Sequence, residues 1–298
     1  TIEQLGRVAA RAEAEGLVPL VGDGTSWDTT VSPPALRSWR NDAVLLGMPR
    51  RVRWVMSLRE GTQVGRTQFG IRYKRKAQVN SGDGDTSLGN TAIHLKALAH
   101  SLRNHSRYDA LAQGDDGVAF VEDAPTAQLD IRRGMSRLGF IYEPERVPLD
   151  SLVWSSGRFW RVGTTRVFGP LPGRVLTKTF FVKYKLSEHK QRRWLRGVVL
   201  GLLPIANHVP VLGTVLRRLK RDTEELKPWY GPEPEWVSFE AEQHHVATES
   251  TYTHFAAVYG VSVSAVHEAE RNIDAGPSLF RRRLIHPIFQ RIVEVDLA

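Results

Sequence analysis

Residues 111–120 read LAQGDDGVAF: two adjacent carboxylates, Asp115 and Asp116, sit between two glycines and are flanked by short apolar runs. Gly114 and Gly117 permit backbone angles that other residues resist, so the stretch predicts strand, tight turn, strand, with both acids at the tip. Asp and Gly are also ordinary turn residues, and the tetrapeptide alone reads first as a solvated hairpin turn. What separates the two readings is the rest of the chain.

Two further acidic, glycine-punctuated stretches lie upstream. GDGTSWD puts Asp23 at or just past the end of a strand read over residues 17–21, with Asp28 five positions on. SGDGDTSLGN, residues 81–90, reads as a glycine-rich loop leading into a helix over residues 86–102, with Leu88, Ile93, Leu95, Leu98 and Leu102 as candidate buried positions. Among 32 acids a pair of Asp five apart is a weak signal; the glycine-rich stretch is more restrictive. Phosphoryl transfer to a sugar hydroxyl supplies a reason for the combination. Two Mg²⁺ ions must hold the attacking hydroxyl, the transferred phosphate and the leaving pyrophosphate in line. Magnesium takes hard oxygen ligands and keeps several waters, so one or two carboxylates per ion suffice. Asp23 and Asp115 meet if their strands are neighbours in one sheet, and carboxylates so close repel without a cation.

The remaining composition is compatible with this chemistry. With 298 residues, 41% apolar and 24% charged, the chain is globular in type, and the absence of cysteine excludes disulfides, cysteine zinc sites and a thiol nucleophile. Thr1 is followed by no charged-then-apolar leader. The net charge of +9 is unevenly spread: residues 50–76 hold nine Lys or Arg against Glu60, and residues 158–221 hold fifteen against Glu188. Solvated surfaces intersperse their signs, so long single-sign tracts point to phosphate contact. Residues 197–216, GVVLGLLPIANHVPVLGTVL, carry no formal charge, but Pro204, Asn207, His208 and Pro210 at the centre favour two short buried helices over a membrane span. Strand patterns thin out near residue 165, and the text is mainly helical from Lys178 on.

The ordered set D-x4-D, SG-x3-T-x3-N and GDD resembles motifs A, B and C of the palm of viral RNA-dependent RNA polymerases. Asp23 and Asp28, then Ser81, Gly82, Thr86 and Asn90, then Gly114, Asp115 and Asp116 match the pattern without a gap. Ser81 lies 53 positions after Asp28, and Asp115 lies 25 after Asn90. SGDGDTSLGNT and GDDG are most similar to the positive-strand tombusvirus-like and nodavirus-like enzymes. The fold so implied is α+β: a right-hand polymerase palm, with an antiparallel ferredoxin/RRM-like sheet packed on helices, followed by a mainly helical thumb. Palm would cover residues 1–165, with a fingers-related insertion around 40–78, and thumb residues 166–298.

The resemblance implies RNA-directed RNA polymerase activity in viral genome replication. Asp23, Asp115 and Asp116 would be catalytic metal ligands for Mg²⁺, with Mn²⁺ as a substitute. Asp28 and Asn90 would recognise the ribose 2′-hydroxyl, while Ser81, Gly82 and Thr86 would shape a loop at template and nucleotide. VWSSGRFW, residues 153–160, falls where motif E grips the primer strand, and reads equally as an ordinary amphipathic hairpin turning at Ser156 and Gly157. Arg72, Lys74, Arg75, Lys76, Ser155, Ser156 and Arg158 are candidate RNA contacts. Partners would be RNA template, nascent RNA and NTPs, in a replication complex of the host cytoplasm attached to membrane, if at all, through other regions.

Two departures stand out. Motif D often presents a lysine to pyrophosphate, but LGFIYEPERVP has none and leaves Arg146, whose guanidinium hardly deprotonates. The basic motif F and most of the fingers precede motif A in this family, yet only 22 residues precede Asp23. Most of the fingers would then be absent, and would come from the same parent polypeptide or another chain. A different class of function is a non-catalytic, basic nucleic-acid-binding protein. Residues 253–273 have the helix, glycine turn and second helix of a helix-turn-helix, but no Lys or Arg before Arg271, which favours helix packing. His244, His245, His254 and His267 raise zinc as a further reading, against the commoner packing and surface roles of histidine.

Overall fold

The computed structural model describes residues 1–80, 82–178, 185–229, 245–281, 283 and 285–297. Its contacts divide the chain into two compact units, Ala12–Pro148 and Thr1–Arg11 with Leu149–Ala298. In chain order the first part contains α1 (Ile2–Ala14), β1 (Val18–Asp23), α2 (Trp27–Thr30), α3 (Pro33–Leu45), α4 (Arg50–Leu58), β2 (Thr62–Arg66), β3 (Arg72–Lys76), α5 (Thr86–Ser101), β4 (Tyr108–Gln113), β5 (Asp116–Val121), α6 (Ala124–Arg137) and β6 (Glu145–Arg146). There follow β7 (Val153–Trp154), β8 (Gly157–Val162), β9 (Thr165–Pro170), α7 (Pro172–Lys178), α8 (Glu188–Ala206), α9 (Leu212–Asp222), α10 (Glu249–Tyr259), α11 (Val263–Asp274) and α12 (Pro287–Leu297).

In the Ala12–Pro148 unit, β4, β5, β1 and β6 form one sheet in that order, every neighbouring pair antiparallel. With α5 between β1 and β4 and α6 between β5 and β6, this is the βαββαβ plan of the expected ferredoxin-like sheet. Helices start where their sequences allow: Pro33 and Pro34 open α3 in its first turn, and the Asp123 side chain caps α6 through the Thr126 N–H. Leu20, Ala119 and Val121 of the sheet pack with Ile93, Ala97 and Leu98 of α5 and Ile131 and Met135 of α6.

One face assignment needs correction. Leu88 and Leu95 are exposed, while α5 buries Asn90, His94 and Ser101 beside Ile93, Ala97 and Leu98. Small side chains are needed on that side: a Cβ on Gly134 of α6 would stand 2.1 Å from Ser101 Oγ. The β2–β3 ribbon forms its own two-stranded sheet and leaves Val64, Phe69 and Ile71 in solvent.

The second unit sets a three-stranded sheet, β7–β8–β9, among helices α7 to α12. The β7–β8 turn is Ser155–Ser156, φ 47° and 59°, one residue earlier than expected. Gly157 instead pairs with Trp154 and opens β8, where a Cβ would stand 2.3 Å from the Phe168 ring. The uncharged stretch 197–216 is divided between α8 and α9, and among the described residues no helix is long and apolar enough to cross a membrane. α10 and α11 do join through Gly260 at φ 62°, but Phe255, Tyr259, Val266, Ala269 and Ile273 are spent in the core, as helix packing requires.

Asp150 ties this unit together. It accepts hydrogen bonds from Arg161 Nε at 3.0 Å and from Arg166 Nη2 at 2.7 Å, the latter side chain being 1% exposed. Burial alone would raise the Asp150 pKa, but these two guanidinium groups bring it down to about 2. A depressed carboxylate pKa contributes stability that is complete above the unfolded value near pH 4 and is lost as pH falls toward 2. Asp150→Ala is therefore expected to cost about 1–2 kcal/mol at pH 7, because buried Arg166 keeps its bond to the Phe159 carbonyl while solvent screens the exposed side of the lost carboxylate. Its deficit should shrink between pH 4 and pH 2, as read by denaturant melts; a deficit constant with pH would contradict this.

Candidate active site

The β4–β5 hairpin closes through two residues, since Gln113 pairs with Asp116. Gly114 takes the first turn position at φ 64°, the positive value that a II′-type turn demands there. Asp115 is thus the turn acid, whereas Asp116 is the first residue of β5 and lies in register with Asp23, the last residue of β1. The reading of both acids at the tip is corrected by one position: a two-residue turn has room for Gly114 and Asp115 alone.

The turn and the end of β1 are joined by the Gly24 N–H, which donates to the Asp115 carbonyl at 3.3 Å. Burial raises the Asp23 pKa, and the nearby Asp115 charge raises it further. Among the described residues neither acid has an ion-pair partner, and no three His, Asp or Glu are gathered as a ready-made cation site. The donor set is nonetheless hard oxygen at mutual repulsion, which a divalent cation relieves.

Beside this pair, Asn90 Nδ2 donates to Asp28 Oδ1 at 2.7 Å, joining α5 to α2. Because a carboxylate only accepts, the amide orientation follows, and Asn90 Oδ1 is left buried without a partner. Thr86 opens α5 and donates its hydroxyl to the Asn80 carbonyl at 2.7 Å. Gly82 has φ 97°, a conformation that side-chain-bearing residues rarely adopt. Ser81 lies outside the described residues. Asp83 and Asp85 of the same loop are bound by Arg59, and Asp85 also accepts from Trp39 Nε1 at 2.8 Å.

The candidate RNA contacts divide. Arg72, Lys74 and Lys76 on β3 are exposed, while Arg75 reaches across the ribbon to Gln63 Oε1 at 2.8 Å. Ser156 is exposed and accepts from Arg174 at 2.8 Å, and Ser155 is half-buried. Arg158 is 4% exposed and donates to the Asp150 carbonyl at 3.1 Å, so its guanidinium serves the interior of its unit rather than an RNA strand. Arg146 sits in β6. Of the histidines raised for zinc, His245 contacts Glu3, His254 meets Asp150 and the Arg161 N–H, and His267 stacks near Tyr252; His244 lies outside the described residues.

A model of the family described as viral RNA-dependent RNA polymerase matches residues 22–271, beginning beside Asp23 and taking in all three motifs. The chain belongs to that family. It is 28% identical over 151 residues to the RNA-directed RNA polymerase of Carnation mottle virus, covering 48% of this chain and 19% of that protein. Its fold matches an insertion-loop deletion mutant of the RNA-dependent RNA polymerase of a human picobirnavirus, with a TM-score of 0.58 at 15% identity. That match covers 75% of this chain and 46% of the other. The chain therefore spans less than half the length of either relative.

Sequence reasoning passed over the layer beneath the acids. His94, fully buried, stacks on Trp27 at 4.5 Å and meets the Tyr142 ring edge-on at 5.1 Å, and Trp27 stacks on Phe140 at 4.2 Å. Tyr142 donates its hydroxyl to the Gly22 carbonyl at 3.0 Å, and burial, then the Asp23 and Asp116 charges, pushes its pKa up. The available signal was the i, i+3 and i, i+4 spacing of Asn90, Thr91 and His94 on one helix.

Proposed function

We propose that this chain carries the catalytic palm of a viral RNA-directed RNA polymerase, adding ribonucleotides to an RNA 3′-hydroxyl under direction of an RNA template. The observation that carries the reading is the convergence of Asp23 and Asp115: the Asp115 charge raises the cost of ionising Asp23, and among the described residues no cation pairs with either. Asp23, Asp115 and Asp116 would hold two Mg²⁺ ions, or Mn²⁺ in their place, which when bound acidify the attacking hydroxyl and neutralise the phosphates. The chain's own part is to fix the acids: β1 and β5 set Asp23 and Asp116 side by side, and the Gly114 turn presents Asp115.

The Asp28–Asn90 pair is assigned to the sugar. Asn90 spends its amide N–H on Asp28, leaving Oδ1 as an acceptor that a ribose hydroxyl would satisfy. Asn90→Ala is expected to lower the preference for NTP over dNTP by about tenfold to a hundredfold, the worth of one or two hydrogen bonds at a buried site. The ratio of kcat/KM values for the two sugars is the measurement; an unchanged ratio would remove the pair from sugar recognition.

Within this reading, Gly82 and Thr86 belong to the template and nucleotide loop, together with Ser81, and exposed Arg72, Lys74 and Lys76 face RNA phosphates. Residues 1–165, with the insertion around 40–78, act as palm and 166–298 as thumb. The place of the polymerase is a replication complex in the host cytoplasm.

A further inference from the structure

A two-residue hairpin turn leaves the backbone groups of its central residues unpaired within the hairpin. Here three of those groups are met by a specific partner. The Gly114 N–H donates to Thr91 Oγ1 at 2.9 Å, and the Gly114 carbonyl faces His94 Nδ1 at 3.1 Å. The Asp115 carbonyl accepts from Gly24. Both groups that hold Gly114 come from successive turns of α5.

The chemistry of each partner is determined. Thr91 Oγ1 donates its own proton to the Ser87 carbonyl at 2.7 Å, so the lone pairs remaining on the oxygen are those that face Gly114 N–H. A carbonyl only accepts, so His94 carries its proton on Nδ1, and Nε2 is bare, buried and without a partner. Burial holds the imidazole pKa down to about 4, so the ring stays neutral at ordinary pH. Its plane is fixed by Trp27 on one side and Tyr142 at the edge.

Resting on the polymerase reading above, we infer that Thr91 and His94 are positioning residues: they clamp Gly114 from both sides and thereby aim Asp115 at the cation that Asp23 shares. The same helix holds Asp28 through Asn90, so α5 gathers the sugar-reading pair and the turn acid on one rigid element. Rigid support matters because a misplacement of about 1 Å in a reacting group can cost on the order of a hundredfold in rate.

The test is Mn²⁺ affinity, read from the electron paramagnetic resonance signal of free Mn²⁺, beside kcat and the NTP KM, in the full-length polymerase. Thr91→Val removes the hydroxyl and keeps the shape; Thr91→Ser keeps the hydroxyl. Thr91→Val is expected to weaken Mn²⁺ binding and kcat by about tenfold each with KM unchanged, and Thr91→Ser to restore both. Wild-type values in Thr91→Val would overturn the clamp, as would a loss in Thr91→Ser equal to that in Thr91→Val. Should Thr91→Val fail to fold, His94→Asn, which keeps a donor at the Nδ1 position, is compared with His94→Leu. The clamp predicts the larger loss in Leu, and equal losses would overturn it. Asp115→Ala separates the two levels of the account: undiminished Mn²⁺ affinity in that variant would overturn the metal assignment itself, whereas lost affinity beside a wild-type Thr91→Val would overturn the clamp alone.

Discussion

Asp115→Asn is expected to abolish nucleotide incorporation while leaving the metal-free protein as stable as the parent or more so. The activity loss should exceed about a thousandfold, since the turn acid is assigned to the metal and one preorganised electrostatic group is worth that order. The stability gain follows from the sign of the Asp23 shift. A carboxylate whose folded pKa is raised is destabilising when ionised, because the folded state favours its proton; the penalty is absent at low pH and grows as pH rises through the folded pKa. Burial supplies part of that rise and Asp115 the rest. Neutralising Asp115 removes its share, so the melting temperature of Asp115→Asn without divalent ions should equal or exceed that of the parent at pH 7, with the gap closing toward pH 4. Added Mg²⁺ should raise the melting temperature of the parent and not of the variant. A variant that is both inactive and markedly unstable at pH 7 would mean that Asp115 serves the fold.

Gly117→Ala is expected to damage both stability and rate from a single methyl group. A Cβ at this position would stand 2.6 Å from His94 Nε2 and 2.7 Å from the Tyr142 hydroxyl oxygen. Neither neighbour can yield easily. His94 is held against Trp27, Trp27 against Phe140, and Tyr142 by its bond to Gly22. Overpacking a filled site costs about 1–3 kcal/mol. Relief by movement of β5 would carry Asp116, the adjacent residue, away from Asp23, and relief by movement of His94 would loosen Gly114. Either way the single-turnover rate should fall by about a hundredfold under conditions where the variant is still folded. Urea melts and rapid-quench incorporation measure the two effects, and a folded variant with the parent's rate would show that the aromatic layer does not govern the acids.

The parts of the site that lay in local patterns were legible. Gly114 and Asp115 announce a turn by their residue types, Pro33 and Pro34 announce a helix start, and Asp28 and Asn90 are found hydrogen-bonded to each other although they stand far apart in sequence. What was not legible depends on packing partners. Whether Asp116 shares the turn or begins β5 is a matter of register, decided by its pairing with Gln113 and Asp23. Leu88 and Leu95 fit an apolar stripe, but the face of α5 toward the sheet and α6 wants small or hydrogen-bonding groups, so Asn90, His94 and Ser101 are buried in their place.

The same limit applies to charge. Arg158 lies in a basic tract and reads as a phosphate contact, yet Asp150 and the Trp160 ring draw it into the interior. Thr91 closes the stretch SGDGDTSLGNT and His94 lies beyond it, but neither announces its role, because hydrogen bonds to a backbone turn leave no residue pattern at the turn except glycine. Chemistry that requires particular side chains is thus visible along the chain, while the supports that aim those side chains become visible only when the strands and helices are assembled.

The most direct measurement of the central claim is incorporation of each of the four NTPs by the full-length polymerase on RNA templates that differ only at the first templating base, with Asp23→Asn alongside. The account predicts that the nucleotide added follows the template base, requires Mg²⁺ or Mn²⁺, and disappears in Asp23→Asn. Addition that ignores the template, or that persists at the parent's rate in Asp23→Asn, would contradict it.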